Sequence, residues 1–340
     1  MSTHSANCCR RNAIIRALMK ALTFLLAAAL LPIVGAGQSQ PSQAPAGRAP
    51  DISVTVDRVP VNVTVSDNKG KFVTNLQRQD FRVYEDDRIQ TIIDFDAETD
   101  LPLTVALLVD TSGSVRDKLR FEQEAAIEFF YSNLKRGKDK ALVISFDTGV
   151  DLLTADSGGP GVDFTDDPEK LANAVRKIRA GGGTSMYDAV YLAAKERLAK
   201  EPGRKLIILI SDGDDNSSRV SLTEALETAQ KSDVAIYAIS TNKTADFGSA
   251  EQERGDKTLR KMAEETGGRV FFPLKLSELA ANFQNIGEEL RAQYTLYYSP
   301  TNQRADGTFR RIRIDLPNKD LKARARTGYY APRATAASRN

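Results

Sequence analysis

"VALLVDTSGSV" (residues 105–115) is an aliphatic run that stops abruptly at Asp110, Ser112 and Ser114. Five consecutive apolar residues suit a strand covered on both faces. An acid and two alternating hydroxyls at its end suit several uses: a nucleophile, a phosphate cradle, a metal seat, or a helix cap in which Asp and Ser side chains satisfy free N–H groups. The surrounding sequence has to choose.

Around this stretch, "LTVALLVD" (103–110), "KALVISFD" (140–147), "KLIILISD" (205–212) and "VAIYAIS" (234–240) are near-continuous apolar strands. Helical patterns separate or follow them over Phe121–Leu134, Pro168–Ile178, Asp188–Ala199, Leu222–Lys231, Thr258–Glu265 and Ser277–Gln293. The alternation predicts an α/β domain over 99–293 with a doubly wound, mainly parallel sheet covered on both faces. On either side the period is two. "ISVTVDRVPVNVTVSD", "FRVYEDD" and "IQTIIDFD" precede the domain, and "YTLYYSP", "TFRRIRIDLP" and "KARARTGYY" follow it. Chain ends of a domain tend to lie close together, which makes insertion cheap. Segments 51–98 and 294–330 are therefore expected to pair as one small β-sandwich-like domain, with 331–340 a tail; two separate β-pieces are the alternative. "RRIRI" and "KARAR" read as strands with their charges on a solvated face, and the tyrosines at 294, 297, 298, 329 and 330 read as strand packing.

The start of the 340-residue chain narrows the chemistry. Arg10, Arg11, Arg16 and Lys20 precede the apolar "ALTFLLAAALLPIVGA", which ends in small residues. That is the pattern of a secretory signal peptide over 1–36, cleaved near Ala36 or after Gly37. The apolar run contains Pro32 and falls short of the ~20 residues of a membrane span, so membrane attachment would come only through an uncleaved leader. "GQSQPSQAPAG" and its neighbours over 37–50 read as a disordered linker. Cleavage removes Cys8, Cys9 and His4, the whole complement of both residue types. The exported chain then has no disulfide, thiol nucleophile, imidazole base or ordinary zinc ligand set, and any metal must be held by oxygen, which favours Mg²⁺, Mn²⁺ or Ca²⁺. Losing four of 47 basic residues against 45 acids leaves the charge slightly negative, with no nucleic-acid footprint.

In open α/β sheets, ligands sit beyond the carboxyl ends of the strands. Asp110 and Asp212 end two of them, and "GGGTSMYDAV" (181–190) opens from a glycine loop onto a helix with Thr184 at its mouth. Two carboxylates and three hydroxyls, partly through water, would satisfy a hard cation that wants six oxygens at roughly 2.1 Å. A helix starting near Arg116 would add its positive end. "GGGTS" lacks the P-loop lysine. An aspartic protease needs a second Asp-Thr loop in an all-β fold, and a haloacid-dehalogenase phosphatase needs an acid where Ser112 stands. Asp147, Asp214 and Asp215 read as solvated loop acids, and Asp188 as a helix cap.

"DTSGS", "GGT" and "ISDGDD", in this order and on these strands, resemble the von Willebrand factor type A (VWA) domain and its metal-ion-dependent adhesion site (MIDAS). The likeness covers 99–293; the flanking β-segments also resemble exported bacterial VWFA-related proteins. The resemblance implies that Asp110, Ser112, Ser114, Thr184 and Asp212 bind the cation, the two acids often through water, and that a partner protein or matrix supplies an Asp or Glu carboxylate. It implies a non-enzymatic binding protein. An envelope scaffold with a structural metal is the alternative, and a hydrolase using metal-bound water the weaker one, because no general base is evident.

Overall fold

Four alternate valines, Val59, Val61, Val63 and Val65, give the first strand, β1 (Val59–Asp67), one fully buried face. The computed structural model describes residues 58–97, 101–153 except 114, 115 and 117, 164–242, 249–273, 275 and 278–333. All of them fall within one compact unit. The leader, the linker, Ser114 and the last residues of the tail lie outside the described residues. After β1 come β2 (Arg82–Glu85) and β3 (Arg88–Asp96).

Beyond residue 101 the texture changes as the aliphatic runs predict. Strand β4 (Leu103–Asp110) is buried at every position. Its odd-numbered residues from Leu103 to Val109 enter one apolar layer, and Ala106 and Leu108 the other. The chain continues through α1 (Leu119–Asn133), β5 (Lys140–Phe146), β6 (Val150–Leu153), α2 (Pro168–Arg176), α3 (Met186–Leu192, running on as a π-helical turn to Leu198), β7 (Arg204–Ser211), α4 (Leu222–Lys231), β8 (Val234–Ser240), α5 (Ala250–Thr266), β9 (Val270–Phe271) and α6 (Glu278–Leu290). The sheet order is β6-β5-β4-β7-β8-β9. All its pairings are parallel except that of β6, an antiparallel edge. Helices α1, α2 and α6 cover one face; α3, α4 and α5 cover the other. This is the doubly wound α/β architecture.

The short strands β6 and β9 escape the sequence pattern, being four and two residues long. Helix α5 begins eight residues before the predicted Thr258. Its first turns, "AEQERGDK", carry no apolar stripe, and a capping box between Ser249 and Gln252 starts them instead.

The chain then returns through β10 (Gln293–Ser299), β11 (Phe309–Asp315), β12 (Leu321–Arg324) and β13 (Gly328–Tyr330). With β1–β3 they form one seven-stranded sheet in the order β12-β1-β10-β3-β2-β11-β13. Its two edges, β12 and β13, are separated in the chain only by Ala325, Arg326 and Thr327. That link spans at most roughly 14 Å, so the sheet curls until its edges lie side by side. The two inner faces that a sandwich draws from two sheets come here from one. Tyr294, Tyr298 and Tyr329 are buried in its core.

The arginine-rich strands depart from the solvated face expected of them. Arg311 and Arg313 are exposed, but Arg310 is fully buried and forms an ion pair with buried Glu85 at 3.7 Å. Alternation shows which residues share a face, not which face turns inward. Arg324 pairs with Glu289 of α6, and Arg326 with Asp233 at 2.8 Å. Both bind the curled sheet to the α/β layers. This joint lies at the amino ends of the parallel strands: Arg204, at the start of β7, donates to the carbonyls of Leu290 and Gln293 at 2.7 and 3.0 Å. The carboxyl ends are a strand length away, roughly 26 Å for eight residues.

Candidate functional site

Strand β4 is flanked by β5 on one side and β7 on the other, so successive connections leave it in opposite directions. The switch point of the sheet therefore lies at the carboxyl ends of β4 and β7, where Asp110 and Ser211 end their strands and Asp212 follows.

Asp110 is fully buried. Its Oδ1 accepts the Ser112 backbone N–H at 2.9 Å, and its Oδ2 accepts the Ser211 hydroxyl at 2.7 Å. Burial pushes its carboxyl up to about 6; the hydrogen bonds from Ser211 and Ser112 oppose the rise and the charge of Asp212 adds to it. Ser112, Thr184 and Asp212 line a single cleft of about 650 Å³; Asp110 does not line it but lies directly behind it, accepting the N–H of the lining residue Ser112. Sequence separations of about 30 to 100 residues are thus brought to one place. Ser114 lies outside the described residues.

Backbone hydrogen bonds hold the three loops together. Gly181 N–H donates to Thr111 O at 2.6 Å and Gly113 N–H to Gly182 O at 3.4 Å, joining the first loop to the glycine loop. Asn216 and Ser217 N–H groups donate to Thr184 O at 3.1 and 3.0 Å, and Asn216 Oδ1 accepts Thr184 N–H at 3.0 Å. The glycines permit this packing. Gly182 has a positive φ of 74°, and a Cβ there would stand 2.6 Å from the Thr148 hydroxyl. Gly213, at φ 82°, lies against the backbone of Gly255 in α5, 2.3 Å from where its Cβ would be.

Lys118, Asn216, Asn242, the α5 N-cap Ser249 and the α5 residues Glu251 and Gln252 also line the cleft. Asn242 donates to the Asp212 carbonyl at 2.9 Å and to Asp256 at 2.8 Å, and Ser240 donates to Asp256 at 2.7 Å. Sequence reasoning singled out none of these. For Ser211 a cue existed, since it immediately precedes Asp212 in "LISD". Helix α1 starts at Leu119, beyond Arg116, with Lys118 at its N-cap position.

Of the acids set aside, Asp214 lines the cleft, whereas Asp147 accepts Gly149 N–H at 3.0 Å within its own turn. Asp215 does the capping expected of Asp188: its Oδ2 accepts Tyr187 N–H, in the first turn of α3, at 2.9 Å. Asp188 instead accepts the Arg219 and Val220 N–H groups, both at 3.0 Å. It lies inside the first turn, too far along to act as the N-cap. One further acid, Glu122 of α1, is buried, with no hydrogen-bond partner for either oxygen among the described residues.

The donor set fits a hard divalent cation: the Asp212 carboxylate and the Ser112 and Thr184 hydroxyls line the cleft, with the Asp110 carboxylate directly behind, all oxygen. Among the described residues no three His, Cys, Asp or Glu side chains converge as a ligand cluster, so hydroxyls would have to share the coordination.

The von Willebrand factor type A domain family matches residues 104–286, more than half of the chain, and the chain belongs to that family. Domains of this family are in general binding modules that hold a divalent cation. No curated protein matches the chain. Among solved structures, a von Willebrand factor type A protein from Catenulispora acidiphila is 14% identical, with 75% of this chain and 74% of that chain covered and a TM-score of 0.47. Proximal thread matrix protein 1 from the mussel byssus is 17% identical, with 59% of this chain covered and a TM-score of 0.45. The match spans about half, 49%, of that protein's length. The vWF domain of the type V pili tip protein Mfa5 from Porphyromonas gingivalis is 14% identical, with 56% and 95% covered and a TM-score of 0.42.

Proposed function

We propose that this chain is an exported binding protein that takes up a divalent cation and captures an acidic group on a partner protein or matrix. Asp110, Ser112, Ser114, Thr184 and Asp212 are the proposed ligands, Asp110 and Asp212 acting partly through water. The observation that carries the reading is the convergence of Ser112, Thr184 and Asp212 on one cleft above Asp110. Oxygen-only donors favour Mg²⁺, with Mn²⁺ and Ca²⁺ as alternatives. When bound, the cation supplies an electrophilic centre for an incoming carboxylate, and the chain's residues orient that encounter. The cleft faces away from the curled sheet, which leaves it open to a large partner.

The alternative of a purely structural metal is disfavoured by the loops themselves. Backbone hydrogen bonds already tie the first loop to the glycine loop and the glycine loop to the Asn216 turn. An ion is not needed to assemble them. For a hydrolase, the acids lining the cleft besides Asp212 are Asp214 and Glu251, whereas Glu122, whose carboxyl burial pushes up to about 8, is 1% exposed and does not line it.

Export rests on the leader pattern of residues 1–36. Among the described residues no helix is long and apolar enough to cross a membrane. We also propose that 99–293 folds autonomously as an insert between β3 and β10. Expression of that piece should give a cooperative melt, and a non-cooperative one would refute the insert.

Calorimetric titration of Mg²⁺ and Mn²⁺ into the wild type and Asp110→Ala tests the cation. Saturable heat is expected from the wild type only; equal heats from both would end the reading. A pull-down from envelope extracts in Mg²⁺, eluted with EDTA, tests the partner.

A further inference from the structure

Helix α1 turns one face to the apolar layer of the sheet: Leu119, Glu122, Ala125, Ala126, Phe129 and Phe130 are buried. Glu122 is the anomaly in that stripe. It is 1% exposed, and neither carboxylate oxygen has a hydrogen-bond partner among the described residues. An ionised carboxylate in such a place is among the costliest arrangements a protein can hold, unless a cation compensates it. The charges acting on it are Asp110, Lys118 and Asp212. Two repel it. The attracting one, Lys118, already donates through Nζ to the Thr241 carbonyl at the cleft wall.

Glu122 therefore adds a further negative charge behind a cleft whose lining already carries Asp212, Asp214 and Glu251 against Lys118. Glu122 is not part of a direct ligand cluster, since no three acids converge to ligating distance among the described residues. Its influence would be exerted from the next layer out, where groups around first ligands commonly set metal affinity.

Resting on the proposed cation site, we infer that Glu122 is its outer-sphere carboxylate: a buried acid on α1, without a hydrogen-bond partner among the described residues, whose negative charge raises the affinity of the site for a divalent cation. Without the cation, burial together with the charge of Asp110 pushes the Glu122 carboxyl up to about 8, Lys118 opposing and Asp212 adding. The residue is therefore a liability to the empty fold and an asset to the loaded one, two effects of opposite sign.

The test uses the full chain with Glu122→Gln, which keeps shape and removes charge, and Glu122→Leu, which continues the apolar stripe. Melting in EDTA at pH 8 and calorimetric titration with MgCl₂ are the two readouts. Both variants are expected to melt above wild type in EDTA and to bind Mg²⁺ at least tenfold more weakly. A role in packing alone would lower the melting temperature and leave the affinity in place. A Mg²⁺ Kd for Glu122→Gln within twofold of wild type would overturn the inference, and so would failure of both variants to fold. Absence of Mg²⁺ and Mn²⁺ uptake by the wild type would instead bring down the underlying site, which separates the two failures.

Discussion

The hydroxyl of Ser211 donates to the carboxylate of Asp110 across 2.7 Å, fastening the end of β7 to the end of β4 at the switch point of the sheet. The same oxygen accepts Gly213 N–H at 3.1 Å, so one serine positions both the floor acid and the turn that carries Asp212.

Ser211→Ala leaves a buried carboxylate oxygen without its donor, which costs about 1–3 kcal/mol. Denaturant titration in EDTA should show that loss, and calorimetry should show weaker Mg²⁺ uptake. An unchanged midpoint would contradict the role given to this bond.

Without the cation, stability should fall as pH rises from about 4 to about 8. In the unfolded chain Asp110 and Glu122 titrate near 3.8 and 4.5, whereas burial raises them in the folded state to about 6 and about 8. The folded protein therefore holds protons that the unfolded chain has already released. The stabilisation from these two groups is complete below about pH 4 and is lost as pH climbs through the folded values. Asp110, Lys118 and Asp212 are the charges acting on Glu122. Melting curves in EDTA should record the decline, flattened between pH 6 and 8 in Glu122→Gln. Saturating Mg²⁺ should reverse most of it.

Gly213→Ala places a side chain at φ 82° and 2.3 Å from the Gly255 carbonyl oxygen, which belongs to backbone and cannot rotate away. The left-handed conformation alone costs about 1–2 kcal/mol, and the overlap adds to it. A loss of at least about 2 kcal/mol is expected by urea unfolding, with reduced cation uptake because the turn after Asp212 shifts.

At the other end of the sheet, Glu289 is fully buried and accepts the Tyr237 hydroxyl at 2.7 Å, and its ion-pair partner is Arg324. Arg324→Ala strands that carboxylate. Breaking a buried pair from one side costs about 3–5 kcal/mol, less here because Arg324 is partly exposed. Adding Glu289→Gln should recover much of the loss, and a double-mutant cycle would measure the coupling.

Most of the α/β layers are legible from periodicity and punctuation. Aliphatic runs ending at Asp110 and Ser211, with a glycine loop before Thr184, lead to strand ends at one edge. What escapes depends on contacts that local pattern does not encode. Glu122 sits at helical spacing from Leu119 and Ala126, but a lone acid among such positions reads as a surface residue. Arg310 alternates correctly yet faces inward, because its partner Glu85 lies on another strand more than 200 residues away. The early turns of α5 lack an apolar stripe, and the local sign of their start is the Ser249–Gln252 capping box; the approach of Gly255 to Gly213 is a pairing that no window of sequence contains.

The placement of residues 97–292 between two hydrogen-bonded neighbours, β3 and β10, has a mechanical corollary. Thr295 stands opposite Asp96 in that ladder, so both stalks of the α/β layers emerge from one spot. Tension applied at residues 58 and 333 would run through the ladders of the curled sheet and bypass the cleft, leaving a captured partner on a side branch that the backbone's main line of force does not cross.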